Sequence, residues 1–131
     1  MASIFTRIIA GEIPSYKIAE NDRFLAFLDV FPIVRGHVLV VPKQEVDRFF
    51  DLNDTLLSEY LVFAKPIALA IEKAIPCKRV GMSVIGLEVP HAHLHLVPMQ
   101  SADDVNFTRP KLSLSPDEMK EIQAAIMLHL A

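Results

Sequence analysis

The sequence predicts an α+β fold: a five-stranded antiparallel sheet with one long central helix and a C-terminal helix packed on one side. Three observations carry this. Short runs of β-branched and aromatic residues, separated by turn residues, dominate the first third of the chain. A long stretch at helical spacing follows and stops at a proline. Then His91, His93 and His95 alternate with Ala92, Leu94 and Leu96, the side-chain period of a strand.

Taken in order, Ser3 is placed to cap a short helix over residues 4–10, with Ile4, Ile8 and Ile9 on its apolar side and Gly11 as the stop. Residues near 16–20 and 23–30 read as strands, 31–36 as a turn around Pro32 and Gly36, and 37–41 as a third strand. Asn53 or Asp54 can cap a helix that reaches about Ile75. Leu56, Leu57, Tyr60, Leu61, Ala64, Ala68 and Ile71 keep its period. Pro66 lies inside it and predicts a kink, because proline has no N–H to bond back one turn. Residues 79–84 form a fourth strand and the histidine row a fifth. Ser115, Pro116 and Glu118 have the pattern of a cap, a first-position proline and a capping box, starting a helix over about 116–130.

The 131 residues suit one domain spanning 1–131. Hydrophobic residues make up 52% of the chain, and the mean hydropathy of +0.35 leaves a surplus that a subunit interface would cover. The longest apolar stretch, 61–71, contains Lys65 and Pro66 and is too short to span a bilayer, so no membrane association is expected. The N-terminus lacks the pattern of a secretory signal. The lone Cys77 permits no internal disulfide, and together these features predict a cytoplasmic protein. A net charge of −3 argues against binding nucleic acid along its backbone, while leaving room for one nucleotide in a pocket.

The histidine row concentrates the chemistry. Of five histidines, three fall within five residues, and imidazole can be nucleophile, proton donor or acceptor near neutral pH. Zinc is one reading. At ~3.3 Å per strand residue, however, His91 and His95 would stand about 13 Å apart, too far to share one ion, and a third ligand would have to be His37 or Glu88. Three histidines with no chemistry would be costly to bury. Phosphoryl chemistry is the third reading: a neutral imidazole attacks phosphorus when one nitrogen is free and the other N–H is held by an acceptor. The four glycines form no phosphate-cradling loop, so a bound phosphate would depend on histidines and backbone amides.

The run His91-Ala92-His93-Leu94-His95-Leu96-Val97 resembles the signature of the histidine triad (HIT) family of nucleotide hydrolases and transferases. The opening from Ser3 to Pro14, the segment Phe24 to Asp29 and the segment Gly36 to Lys43 are similar to the same regions of its Hint branch. The resemblance implies a two-layer HIT-like fold whose sheet continues across a homodimer. It implies hydrolysis of purine nucleoside 5′-phosphoramidates or related adenylates, without a cofactor or resident metal. His93 would attack the α-phosphorus, His95 would stabilise charge on the phosphate, and His91 with His37 would belong to the orienting hydrogen-bond network. Asp29 would accept from the ribose hydroxyls, and Phe5, Ile8, Phe27 and Val30 would line a slot for the purine. Residue type alone also allows Asp29 as a strand end, His37 as a half-buried histidine and Phe5, Ile8 and Phe27 as core.

The segment Gly81 to Pro90 departs from the family pattern. It is a few residues shorter, places Ser83 near the usual Asn and places Glu88 near the usual Ser or Thr. An ionised carboxylate there would repel phosphate; a protonated one could act as general acid toward a leaving amine. The family's C-terminal tryptophan is absent, since the chain has no Trp. Three other functions stay open at this point: a dinucleoside polyphosphate hydrolase of the same family, a non-catalytic nucleotide-binding or scaffolding protein, and a zinc protein.

Overall fold

The computed structural model describes residues 2–130. Helix α1 (Ile4–Ile9) leads into strands β1 (Lys17–Glu20), β2 (Phe24–Leu28) and β3 (Val38–Pro42). Helix α2 (Asp54–Ala74) crosses back to β4 (Arg79–Ser83) and β5 (Leu94–Met99), and α3 (Pro116–Met127) closes the chain. Two short 3₁₀ turns, at Phe49–Asp51 and Ala102–Val105, were not predicted. The strands form one antiparallel sheet in the order β1-β2-β3-β5-β4.

Capping chemistry sets the helix ends. Ser3 Oγ accepts from the Thr6 N–H at 3.0 Å, and Asn53 Oδ1 from the Leu56 N–H at 2.8 Å. Ser115 and Glu118 form the predicted reciprocal box ahead of Pro116. Pro66 does not end α2, which is assigned as one 21-residue helix. Pro66 is on the exposed side, where water can satisfy the Val62 carbonyl that loses its N–H partner.

The main core lies between one face of the sheet and the two long helices. Leu56, Tyr60, Ala64, Ile67 and Ile71 of α2 and Met119, Ile122 and Ile126 of α3 meet Ile18, Phe24, Ala26, Leu28, Val38 and Val40. Each fully buried aliphatic residue contributes roughly 2 kcal/mol by removal of apolar area from water. The buried Tyr60 hydroxyl donates to the Val40 carbonyl, joining α2 to β3.

The other face is covered too, which corrects the expectation of helices on one side only. Phe5 of α1 packs with Leu25, Phe27, Leu39 and Val41, flanked by Ile8, Ile9 and Val89. Every residue of β2 and β3 is therefore buried. This explains why neither strand shows the polar alternation of a half-exposed sheet.

The histidine row needs a second correction. Only His95 belongs to β5; His91 and His93 lie in the irregular segment that enters it. The alternation survives, since Ala92, Leu94 and Leu96 all join the main core. The segment bends off the ladder because its backbone bonds elsewhere. The His91 N–H reaches the Val89 carbonyl at 2.8 Å and the Ala92 N–H the Val46 carbonyl at 2.7 Å.

Gly36 brings the chain into β3 with φ of +91°, a conformation open to glycine. A Cβ there would stand 2.9 Å from Ile75 Cγ1. The turn is thus pressed against the end of α2, with His37 fixed as the next residue.

Candidate active site

Strand register builds the site on the α1 face of the sheet. Phe27 pairs with Leu39, Leu39 with His95, and His95 with Ser83. Residues opposite each other in antiparallel strands share a face, so these four form a row across four strands. His37 lies two positions before Leu39 and joins the same side. Asp29 follows the end of β2, its N–H bonded to the His37 carbonyl at 3.0 Å.

His91, His93, His95 and His37 are all buried, with His91 and His37 at 0% and 1% exposure. The cost of burial is offset because no buried polar side-chain atom among the described residues lacks a partner. His91 Nε2 donates to the Pro42 carbonyl at 2.8 Å, and Nδ1 accepts from Ser3 Oγ at 2.8 Å. Glu45 fixes this end of the network. Its Oε1 accepts from the Ser3 N–H at 2.7 Å and from the Thr6 hydroxyl at 2.6 Å. The two hydrogen bonds hold the Glu45 carboxyl down at about 2.

The His91 carbonyl lies 2.8 Å from His93 Nδ1. A carbonyl can only accept, so His93 carries a proton on Nδ1 and, as the neutral ring, leaves Nε2 as a bare lone pair. Phe5 packs edge-on against this ring, with centroids 5.0 Å apart.

A second chain of bonds orients His95. The Ile33 N–H donates to His37 Nδ1 at 3.3 Å, which puts the His37 proton on Nε2. That nitrogen lies 2.9 Å from His95 Nδ1, so His95 accepts there and keeps its own proton on Nε2. These tautomers follow from the donors and acceptors around each ring. His93 thus presents a lone pair and His95 a donor N–H, with ring centroids 5.0 Å apart. Among the described residues neither Nε2 has a protein partner, and neither is sealed from solvent.

Burial pushes His37 and His95 down to about 3 and lowers His91, partly opposed there by the Pro42 bond. Neutral His37 means its 3.7 Å approach to Asp29 Oδ2 is not an ion pair. Asp29 Oδ1 accepts from the Phe31 N–H at 2.9 Å, so the residue does close the turn after β2. Its Oδ2 has no hydrogen-bond partner among the described residues and is open to a ligand. Burial raises the Asp29 carboxyl.

The other expected residues divide. Phe5, Ile8 and Phe27 come together in the small apolar cluster, with Phe5 and Phe27 centroids 5.7 Å apart. Val30 does not join them; it is 48% exposed. Ser83 stands beside His95 across the ladder. Glu88 is exposed in the loop before the triad, close enough for its charge to act on Asp29. Phe107 escaped the sequence reading. Its ring lies 4.5 Å from His95 and 5.8 Å from His37, on a segment with no pattern to announce it.

Among the described residues a metal finds one possible donor set, Asp29, His37 and His95, with ligand atoms within 4.8 Å of one another. Glu88 is not part of it. His37 Nε2 and His95 Nδ1 already face each other at hydrogen-bond distance, closer than two nitrogens each ~2.0–2.1 Å from one tetrahedral zinc would stand. The arrangement fits a proton-sharing pair, not a preformed metal centre. A cavity of about 620 Å³ lies elsewhere, between the Ile33–Arg35 turn and α3, and none of the four site histidines lines it.

Acid should unfold the protein through His37 and His95. Unfolded histidine titrates near 6.5 and the folded rings near 3, so the unfolded chain binds more protons between these values. Stability is then full above pH 6.5 and falls as pH drops, by up to about 1.4 kcal/mol per pH unit for each histidine. Urea unfolding between pH 7 and pH 5 measures this directly, and a midpoint unchanged over that range contradicts the neutral-histidine network.

Comparison with known proteins agrees with this fold. The family model of the HIT domain matches residues 10–102. An uncharacterized HIT-like protein of Borreliella burgdorferi is 33% identical over 135 aligned positions, covering 97% of each chain. The adenosine 5′-monophosphoramidase of Schizosaccharomyces pombe is 32% identical over 125, covering 93% of each. Among solved structures, a hypothetical histidine triad nucleotide-binding protein from Sulfolobus tokodaii superposes with a TM-score of 0.85 at 25% identity, over 96% of this chain and 90% of that one. The five-stranded sheet with its helices is the fold of solved HIT proteins and the family model spans more than half of the sequence, so the chain belongs to the HIT domain family.

Proposed function

We propose that this protein is a nucleotide hydrolase that cleaves purine nucleoside 5′-phosphoramidates or related adenylates at the α-phosphate. The observation that carries the reading is the His91 carbonyl bonded to His93 Nδ1, which leaves a nucleophilic Nε2 beside the donor N–H of His95. The phosphoramidase name of the fission yeast relative supports the choice of leaving group.

In the first step His93 Nε2 bonds to the α-phosphorus as the P–N bond to the amine breaks. The leaving amine takes up a proton from solvent, and the attacking water of the second step returns one. His93 then holds the nucleotide as a phosphoramidate, its Nδ1–H still bonded to the His91 carbonyl, which stabilises the developing imidazolium. His95 Nε2–H donates to a non-bridging oxygen where charge builds up. Water then attacks phosphorus, the P–Nε2 bond breaks, and the mononucleotide leaves with His93 restored. No step needs a cofactor. Asp29 Oδ2 would accept from the ribose hydroxyls, with Phe5, Ile8 and Phe27 toward the base. Exposed Val30 can only edge that slot.

A homodimer is part of the proposal. β4 is an edge strand, and Met82, Val84, Ile85 and Leu87 in and after it are exposed, Leu87 at 88%. Leu61, Val62 and Leu69 form a further exposed apolar set on α2. A second copy pairing along β4 would cover a strand edge and these side chains together.

Three measurements test this. Mass spectrometry of enzyme quenched during turnover of adenosine phosphoramidate should detect a nucleotidyl adduct on His93, with His93→Ala losing the adduct and on the order of 10³-fold or more in rate. No adduct and no turnover on any adenylate would point to a binding or scaffolding protein. Glu88→Gln should change the ratio of rates on adenosine phosphoramidate and diadenosine polyphosphate; a constant ratio excludes Glu88 as acid for the leaving amine. Sedimentation equilibrium should give twice the chain mass, reduced toward one by Met82→Lys on the β4 edge.

A further inference from the structure

The binding site just described has an electrostatic gap. A nucleotide α-phosphate is anionic, yet His37, His91 and His95 are neutral near pH 7 and Asp29 is acidic. Glu88 at the mouth adds further negative charge when ionised. Histidine donors alone would have to hold an anion next to a carboxylate.

The segment from Asn106 to Leu112 lies against this site, held at three points. Phe107 packs edge-on to His95 and His37 at one end. In the middle, the Arg109 guanidinium is tied to Asp104 Oδ1 at 2.9 Å and to the Asp103 carbonyl at 3.0 Å. At the far end the Leu112 N–H donates to the Pro32 carbonyl at 2.7 Å, in the turn that follows Asp29. Pro110 fixes one more dihedral between these ties.

Lys111 therefore sits on a restrained backbone next to the Asp29 turn. It is exposed and makes no salt bridge or side-chain hydrogen bond among the described residues. Arg109, Arg35 and Lys43 are by contrast engaged with Asp104, Glu118 and Glu20. The Lys111 charge is felt at Asp29, His37 and His95, and no other lysine or arginine acts on the shifted groups of the site.

We infer that Lys111 is the phosphate-binding cation of this site, presented by the strapped 106–112 segment to the anionic phosphate of a nucleotide held at Asp29 and the histidines. The inference rests on the nucleotide-binding reading above and goes beyond it by naming the residue that selects for charge. A flexible ammonium on a fixed backbone suits the task. It can follow the phosphate as geometry changes during transfer without competing with His95 for the same lone pair.

Calorimetric titration of AMP and of uncharged adenosine separates the possibilities. Lys111→Met should weaken AMP binding roughly tenfold, the worth of one charge-assisted hydrogen bond, and leave adenosine binding unchanged. Lys111→Arg should restore most of the AMP affinity. Added salt should weaken AMP binding to the wild type more than to Lys111→Met. Equal weakening of AMP and adenosine would mean Lys111 only supports the fold, and unchanged AMP affinity would remove it from the site; either overturns the inference while leaving nucleotide binding intact. A wild-type protein that binds neither ligand overturns the nucleotide reading itself, and the inference with it.

Discussion

The hydrogen bond from His93 Nδ1 to the His91 carbonyl is the contact on which the site depends. It is a bond within one short segment, so its geometry is only as good as the segment's own anchorage. That anchorage is dense. His91 is tied through its ring to Pro42 at the end of β3 and to Ser3 at the cap of α1, and Ala92 is tied through its N–H to Val46. The capping serine of the first helix thus also accepts the work of orienting a site histidine. Glu45 holds the Ser3 N–H and the Thr6 hydroxyl of that corner, so a surface carboxylate acts on the triad through two intermediates without touching a substrate.

Burial does the rest by suppressing charge. A protonated imidazole at His37 or His95 would have to be desolvated, and this cost outweighs any benefit until the pH is far below neutral. Neutral rings must divide donor and acceptor roles between their nitrogens. The backbone N–H of Ile33 makes that choice for His37, His37 makes it for His95, and a row of similar side chains becomes two different chemical tools. The same suppression removes positive charge from a site that would receive an anion, and this gives significance to Lys111, which has no side-chain partner among the described residues.

Much of the fold was legible because it rests on local chemistry. Ser3, Asn53 and Ser115 announced their caps by residue type, and Gly11 and Gly36 their turns. The period of α2 was strong enough to carry it through Pro66. What misled was β2 and β3, whose continuous burial hides how many layers cover them, and the triad, whose strand-like alternation extends beyond the strand. In both cases the deciding contacts come from residues remote in sequence: Phe5 against Phe27 in one, Val46 against Ala92 in the other.

The sequence by itself determined the histidines of the candidate site and the alternation that turns them away from the core, which helices start where, and, through the run from His91 to Val97, a resemblance to one family that the comparisons bear out. It could do so because period and residue type are properties of neighbouring positions. Only the tertiary structure decided the tautomer of each ring, the free oxygen of Asp29, the exposure of Val30 and the approach of Phe107. A tautomer is set by whatever donor or acceptor lies ~3 Å away, and for these rings several of those partners, such as Ser3 for His91 and His37 for His95, arrive from distant parts of the chain. Spacing along a sequence carries no record of them.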